Sequence, residues 1–418
     1  MASKHSSAAL QTDLSSSDVK NISKPSSEDQ SSKKEGKFQL GNVITIGLAH
    51  AAHDTYFAFL APLLPILIER FELTKLLAGT LTIFAQLPSL IQPLVGYIAD
   101  RINLRKVVIL GPALAGILLS MIGILPSYFL IACFLVMGGL ISTGVHSVGP
   151  VMAGTISGNK LGLGMSIWMM GGELGRTLGP LIIVATVENV GLEKSPWLML
   201  GGFAASIALY IQLKDVKTFY PPKPESLNWR PAVKALKRFM LPMFGFVFLR
   251  AFGFAAVTTF LPIYLTERGS TLLVAGASLT LLEAAGILGA MVGGSLSDRY
   301  NRKAILMLSL IFSAITLFLF INLTGWMTYP LLMLMGFTTL STMPIIMAFV
   351  MENFPDNKAL ATGTYMASSF LLKSLAVILT GSFADRFGLQ SAYLISSGLT
   401  ILAIPFIFLI PVSKKETV

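Results

Sequence analysis

His50, His53 and Asp54 fall within a single helical turn of one another, inside an apolar run that begins at Leu40. His50 and Asp54 are four apart and share a helix face, with His53 beside them. Burial draws the proton affinities of a carboxyl and an imidazole together, so a proton could pass between such groups near neutrality. Proton coupling is the chemistry expected of Asp54, His50 and His53. A structural role, in which the groups bond locally and hold the helix in place, is the plain alternative. His-x-x-His-Asp could also hold a divalent metal, with His146 as a further ligand. That set lacks other oxygen or sulfur donors, so neither a metal nor a cofactor is expected.

Other ionisable residues also sit in apolar stretches: His146, Glu173, Arg176, Arg250, Glu283 and Lys373. A charge at bilayer depth costs about 2.5–3.5 kcal/mol or more, so each is a candidate functional residue. Glu173 and Arg176 are three apart and can neutralise one another as a structural pair. They lie in a small-residue stretch, Gly171-Gly172-Glu173-Leu174-Gly175-Arg176-Thr177-Leu178-Gly179-Pro180, which suits close helix approach, with Pro180 as a kink. Arg250 and Lys373 have no carboxylate nearby in sequence. All six are candidates to bind a solute, and the Arg and Lys inventory favours an anionic or zwitterionic one. The alternative is ion pairing across the molecule, for example Arg250 with Asp54.

What must hold these groups is a set of membrane helices. Apolar residues make up 54% of the 418 positions and charged residues 12%, roughly half the usual soluble share. The net charge of +10 could suggest nucleic acid, but the basic residues sit in short loops between apolar runs. Cys133 is the single cysteine, which excludes internal disulfides and cysteine metal sites. Twelve apolar runs are long enough to cross a ~30 Å hydrocarbon core: Leu40–Ile68, Leu76–Ala99, Val107–Leu125, Tyr128–Ala153, Leu161–Val187, Pro196–Leu213, Phe239–Leu265, Leu272–Leu296, Ala304–Leu323, Tyr329–Val350, Ala359–Ala384 and Ala392–Val412. An all-α membrane protein is expected, because lipid cannot satisfy an unpaired backbone.

The domains follow: a polar tail over 1–38, a six-helix bundle over 39–213, a linker over 214–238, a second six-helix bundle over 239–412, and a short tail over 413–418. The first tail is expected to be disordered and shows no short apolar core after Lys4, so it does not read as a cleaved signal peptide. With both termini cytoplasmic, the inner loops and linker carry fifteen Lys and Arg against five in the outer loops, a clear positive-inside bias. The expected location is the plasma (inner) membrane.

The halves repeat. Gly96-Tyr-Ile-Ala-Asp100-Arg101-Ile-Asn103-Leu-Arg105-Lys106 follows the second run, and Gly294-Ser-Leu-Ser-Asp298-Arg299-Tyr-Asn301-Arg302-Lys303 follows the eighth. Leu64-Pro65-Ile66 is echoed by Leu261-Pro262-Ile263. Arg250 precedes Pro262 by the same offset at which His53 precedes Pro65, and Lys373 falls near the repeat equivalent of Arg176. Six plus six spans with a midplane site is a common transporter plan. The loop motif resembles the signature of the major facilitator superfamily, which implies two pseudo-symmetric six-helix bundles. It also implies a conformational gate at Gly96, Asp100, Arg101, Arg105, Gly294, Asp298, Arg299 and Arg302. Asn301 stands where the motif has glycine and could take a left-handed turn.

The first half is also similar to the fosmidomycin-resistance family of efflux transporters. The resemblance rests on His50-Ala-Ala-His53-Asp54-Thr55, Leu90-Ile91-Gln92-Pro93-Leu94-Val95-Gly96-Tyr97, Gly144-Val145-His146 and the Gly171–Pro180 pattern. His53 stands where that family has Asn, and Glu173 and Arg176 replace an Asn and a small residue. The function implied is proton-coupled efflux of a small polar or anionic solute by a monomer. The alternatives are an uptake carrier or uniporter for a carboxylate or sugar-like metabolite, and a non-transporting receptor on the same scaffold. No phosphate loop and no nucleophile–base motif supports an ATP-driven pump or an enzyme.

Overall fold

A computed structural model describes residues 38–99, 105–213, 229–354 and 358–411. The expected tails, Asp100, Arg101 and most of the linker lie outside the described residues. Twelve helical passages alternate in direction: α1 (Leu40–Phe71), α2 (75–99), α3 (Arg105–Ser120), α4 (Tyr128–Ser157), α5 (Leu161–Val190), α6 (Leu192–Leu213), α7 (229–267), α8 (Leu272–Arg299), α9 (Arg302–Asn322), α10 (Gly325–Asn353), α11 (Lys358–Phe387) and α12 (Leu389–Leu409). Among the described residues, nine are both long and apolar enough to cross a membrane on their own. The other three have visible reasons. α2 is apolar over Lys75–Ile91, α3 has sixteen residues, and α5 carries Glu173, Arg176 and Glu188.

Local structure repeats as the sequence does. α1 loosens at Ala58 and Phe59, while α7 widens into a π-helical turn over Ala256–Phe260. Each break lies four residues before a proline, Ala58 before Pro62 and Thr258 before Pro262, which offers no N–H to that carbonyl and crowds it. α2 and α8 start alike, with Thr74 and Thr271 accepting from the N–H groups of Leu77 and Val274. Two expectations change. Asn301 has φ −58° and is the N-cap of α9, its side chain accepting from the Ala304 N–H. A capping side chain therefore replaces the left-handed turn. The helix of α7 begins at Trp229, inside the stretch expected to be linker, with Pro231 tolerated in its first turn.

Glycines set the closest contacts. A Cβ on Gly171, Gly175 or Gly179 would lie 2.0, 2.3 or 2.4 Å from the carbonyl oxygens of Gly47, Ala51 and Thr55. α5 therefore rides on the backbone of α1, along the face that carries His50 and Asp54. In the second half the same device joins α8 to α10, where a Cβ on Gly289 or Gly336 would strike the carbonyls of Phe337 or Leu282 at 2.0 or 1.9 Å.

The apolar core shows how the halves meet. At the end remote from the start of α1, one continuous cluster includes Leu63, Leu64 and Ile183 of the first half with Phe260, Leu282 and Tyr393 of the second. Toward the start of α1 the core divides. Ile46, Val145 and Trp168 anchor a cluster in the first half, and Phe246, Ile346 and Ile407 anchor a separate one in the second. The bundles are joined at the far end and parted in their cores at the end where α1 begins and α12 ends.

Candidate functional site

α1 carries His50 and Asp54 on the face covered by α5. The side chains of both are 6% exposed. Gly172 leaves room for the His50 ring, since a Cβ there would lie 2.5 Å from its Cε1. The ring stacks on Trp168 at 3.9 Å between centroids, and its Nδ1 lies 2.8 Å from the Trp168 carbonyl oxygen. His146 reaches the same point from α4, with Nδ1 2.9 Å from the Ser142 carbonyl oxygen. A carbonyl only accepts, so each Nδ1 carries the hydrogen and each neutral ring presents a bare Nε2.

Those two Nε2 atoms face each other at 3.2 Å. His50 Nε2 is 3.4 Å from Asp54 Oδ2, and His146 Nε2 is 3.6 Å from Asp54 Oδ1. With both rings neutral and Asp54 ionised, three acceptors converge with no hydrogen between them. One added proton converts this repulsive set into an Nε2–H···Nε2 or Nε2–H···O bond, whereas a second would place two imidazolium ions side by side. His146, with its side chain 34% exposed, is the member nearest solvent.

His50, Asp54 and His146 also form the group among the described residues whose spacing could hold a metal ion. The Arg176 guanidinium argues against that use: its Nη1 stands 3.4 Å from Asp54 Oδ2 and repels a second cation there. Arg176 is shared, because it also pairs with Glu173. The Glu173–Arg176 pair expected from spacing is present, and Asp54 is a further partner that spacing alone did not indicate. The pairing of Arg250 with Asp54 raised from sequence is not found. Asp54 faces Arg176, and Arg250 hydrogen-bonds Thr342 and Thr339.

His53 lies beside the cluster, its ring centre 5.8 Å from that of His146, but makes no hydrogen bond to it. It is fully buried against Phe57 near Gly111, and neither ring nitrogen has a hydrogen-bond partner. Across the molecule, Glu283 of α8 lies within electrostatic reach of Arg176 and of Lys373 on α11. Its Oε2 has no hydrogen-bond partner. Arg176, Glu283 and Lys373 thus bring charge from both bundles toward one region.

Of the expected gate, Gly96 lies in α2, Arg105 opens α3, and Gly294 and Asp298 fall in the last turns of α8. Arg299 is exposed. Arg302 is buried and donates to Ser297 Oγ at 3.3 Å and to Glu352 Oε1 at 2.6 Å, tying the start of α9 to the end of α10. Glu352 was not among the expected residues. Neither was a set of contacts at the opposite end: Lys75 with Glu267 at 2.9 Å, Asp385 with the N–H groups of Lys75 and Leu76, and Glu188 with the N–H of Leu273. The repeated Thr74 and Thr271 caps were the available signal, since each marks a helix start that a carboxylate from the other bundle could also cap.

Two six-helix bundles that repeat one another are the architecture of a known family, and the sequence model of the Major Facilitator Superfamily matches residues 46–293 and 243–418. The chain belongs to the Major Facilitator Superfamily. Among curated members of the superfamily, it is 26% identical over 396 residues to the fosmidomycin resistance protein of Escherichia coli (strain K12), covering 90% of this chain and 95% of that one. The multidrug resistance protein MdtG of Escherichia fergusonii is 24% identical over 381 residues, covering 87% and 92%. Among solved structures, a bacterial homologue of the human lysosomal transporter Spinster, in an inward-facing and occupied conformation, aligns with TM-score 0.73 at 15% identity, covering 89% and 96%. A D-xylose–proton symporter aligns with TM-score 0.69 at 16% identity, covering 90% and 98%. The chain is accordingly an integral membrane transporter of the superfamily and not an enzyme.

Proposed function

We propose that this transporter exchanges protons for a small polar or anionic solute by alternating access, in the direction of export, with both termini in the cytoplasm. The carrying observation is the convergence of His50 Nε2, His146 Nε2 and the Asp54 carboxylate within 3.2–3.6 Å of one another, a set that one shared proton would bind together. His146, the exposed member, takes the proton from the cavity and shares it with the buried pair. A solute whose hydroxyl donates to the His146 Nε2 stands where that proton would bridge, so proton and solute exclude one another. Mutual exclusion is what makes a carrier an exchanger. Arg176 and Lys373 hold the solute's anionic group, and Glu173 and Glu283 balance them when the site is empty. With this orientation the joined end is the outer face and the parted cores face the cytoplasm. The names of the relatives from E. coli and E. fergusonii support resistance-type export and suggest phosphonates as first candidates.

A second reading has its own support. Asp54 also holds Arg176 at 3.4 Å. A proton on Asp54 would release Arg176 to an anion, so proton and solute would bind together, as in uptake. The two readings predict opposite signs in one experiment. Proteoliposomes enclosing a pH-sensitive dye, with no imposed gradient, receive fosmidomycin or another small phosphonate or carboxylate outside. Exchange raises the lumenal pH and co-transport lowers it, and either change should vanish in Asp54→Asn. Labelled solute entering equally through both proteins with no pH change would overturn proton coupling and leave a uniporter.

A further inference from the structure

Arg250 of α7 is 7% exposed. Its Nε donates to Thr342 Oγ1 at 2.7 Å and its Nη2 to the Thr339 carbonyl at 3.2 Å, leaving most of its N–H donors unspent. Its guanidinium carbon lies 5.4 Å from the Phe254 ring centre, and Lys373 Nζ lies 4.6 Å from that same centre. Two cations therefore crowd one ring, and the group within electrostatic reach of Arg250 among the described residues is the Tyr365 phenol, not a carboxylate. A buried charge without a counter-ion is costly, more so at bilayer depth.

Beside the guanidinium is a cavity of about 10 Å³, bounded by Arg250, Gly253, Phe254, Ser313, Thr339 and Thr400 among others. That volume admits one water-sized atom. The Ser313 and Thr339 hydroxyls bond each other at 2.9 Å, a contact that uses one hydroxyl hydrogen and leaves the second free. The Thr400 and Thr342 hydroxyls are already committed to the carbonyls of Ser396 and Thr339, each at 2.8 Å. The cavity thus offers unspent N–H donors, one unspent O–H donor, a positive charge and room for a single atom.

We infer that this cavity binds a monatomic anion of halide size, held by Arg250 and the free hydroxyl of the Ser313–Thr339 pair. The ion neutralises Arg250 where α7, α9, α10 and α12 converge and lets the second bundle pack around it. The site lies in a different bundle from His50, Asp54 and His146, so it stands whether or not the proton reading holds.

The test uses the purified full chain in nanodiscs, with chloride exchanged for gluconate at constant ionic strength. Chloride and bromide should raise the melting temperature saturably where gluconate does not, and protein should broaden the 35Cl NMR line with a matching concentration dependence. Losing a hydrogen bond to a charged group costs about 1.5–3 kcal/mol, so Ser313→Ala with Thr339→Val should weaken binding roughly tenfold or more. Arg250→Gln should abolish binding, and the paired hydroxyl variant decides the matter if Arg250→Gln does not fold. Equal melting in both salts without excess line broadening would mean that water fills the cavity and would overturn the inference. Halide binding unchanged in the Ser313/Thr339 variant would overturn it too, by placing the ion elsewhere.

Discussion

The carboxylate of Asp385 accepts from the backbone N–H groups of Lys75 at 2.6 Å and Leu76 at 3.0 Å, so the last turn of α11 caps the first turn of α2 in the other bundle. Glu188, in the last turn of α5, accepts from the Leu273 N–H at the start of α8, at 3.2 Å. The two contacts are images of each other under the internal repeat. Each sets an anion on a helix N-terminus, where charge and orphan donors favour it. Both must break when the joined end opens.

Removing one such cap costs about 1 kcal/mol, a roughly fivefold shift in a two-state equilibrium. Asp385→Ala and Glu188→Ala should each favour opening of the joined end, and the double variant should favour it more. Spin labels at Phe129→Cys and Phe387→Cys, in a Cys133→Ala background, would show the longer distance gaining population. Identical distance distributions in all variants would refute the clasp.

Gly175 governs the α1–α5 contact on which the cluster depends. A methyl there would meet the Ala51 carbonyl oxygen at 2.3 Å and Asp54 Cβ at 3.0 Å. Gly175→Ala should therefore destabilise the protein by about 1–3 kcal/mol, the usual cost of overpacking, and should lower proton-coupled transport as α1 is displaced. Gly398→Ala is the matched control, because a Cβ at Gly398 meets nothing within 4 Å. Equal melting temperatures for the two variants would contradict the close contact.

The glycine pattern is also where the sequence was most legible. Gly171, Gly175 and Gly179 recur every four residues, a spacing that forces one helix face against a neighbour whatever else the fold does. His50 and Asp54 on one face and the Glu173–Arg176 pair follow from periodicity in the same way, and the twelve helices follow from the length of the apolar runs. Choosing His146 over His53 did not follow. Both are histidines in apolar runs, and only the placement of α4 decides which ring nitrogen reaches Asp54. The Asp385 and Glu188 caps were equally hidden, because a helix terminus advertises its need for an anion but not which distant carboxylate meets it.

Arg302 and Glu352 make the described ion pair at the end where α1 begins and α12 ends. Arg302 is buried, whereas the Glu352 side chain is 48% exposed, so solvent screens the pair. Glu352→Gln should cost no more than about 1 kcal/mol in thermal unfolding, while Arg302→Met should cost more by also freeing Ser297. A larger loss for the Glu352 variant would mean that the carboxylate carries a load beyond this pair.

His53 and His146 give the sharpest contrast. His53 is fully buried with two unsatisfied ring nitrogens, a state that costs about 1–3 kcal/mol relative to an apolar side chain of similar shape. His53→Leu should therefore raise the melting temperature and leave solute-driven pH changes intact. His146→Gln removes the exposed member of the cluster while tolerating the partly open position. It should fold normally, still bind solute, and lose the pH change measured in proteoliposomes. Coupling lost in His53→Leu but kept in His146→Gln would move the proton path to the buried side of α1 and refute the assignment.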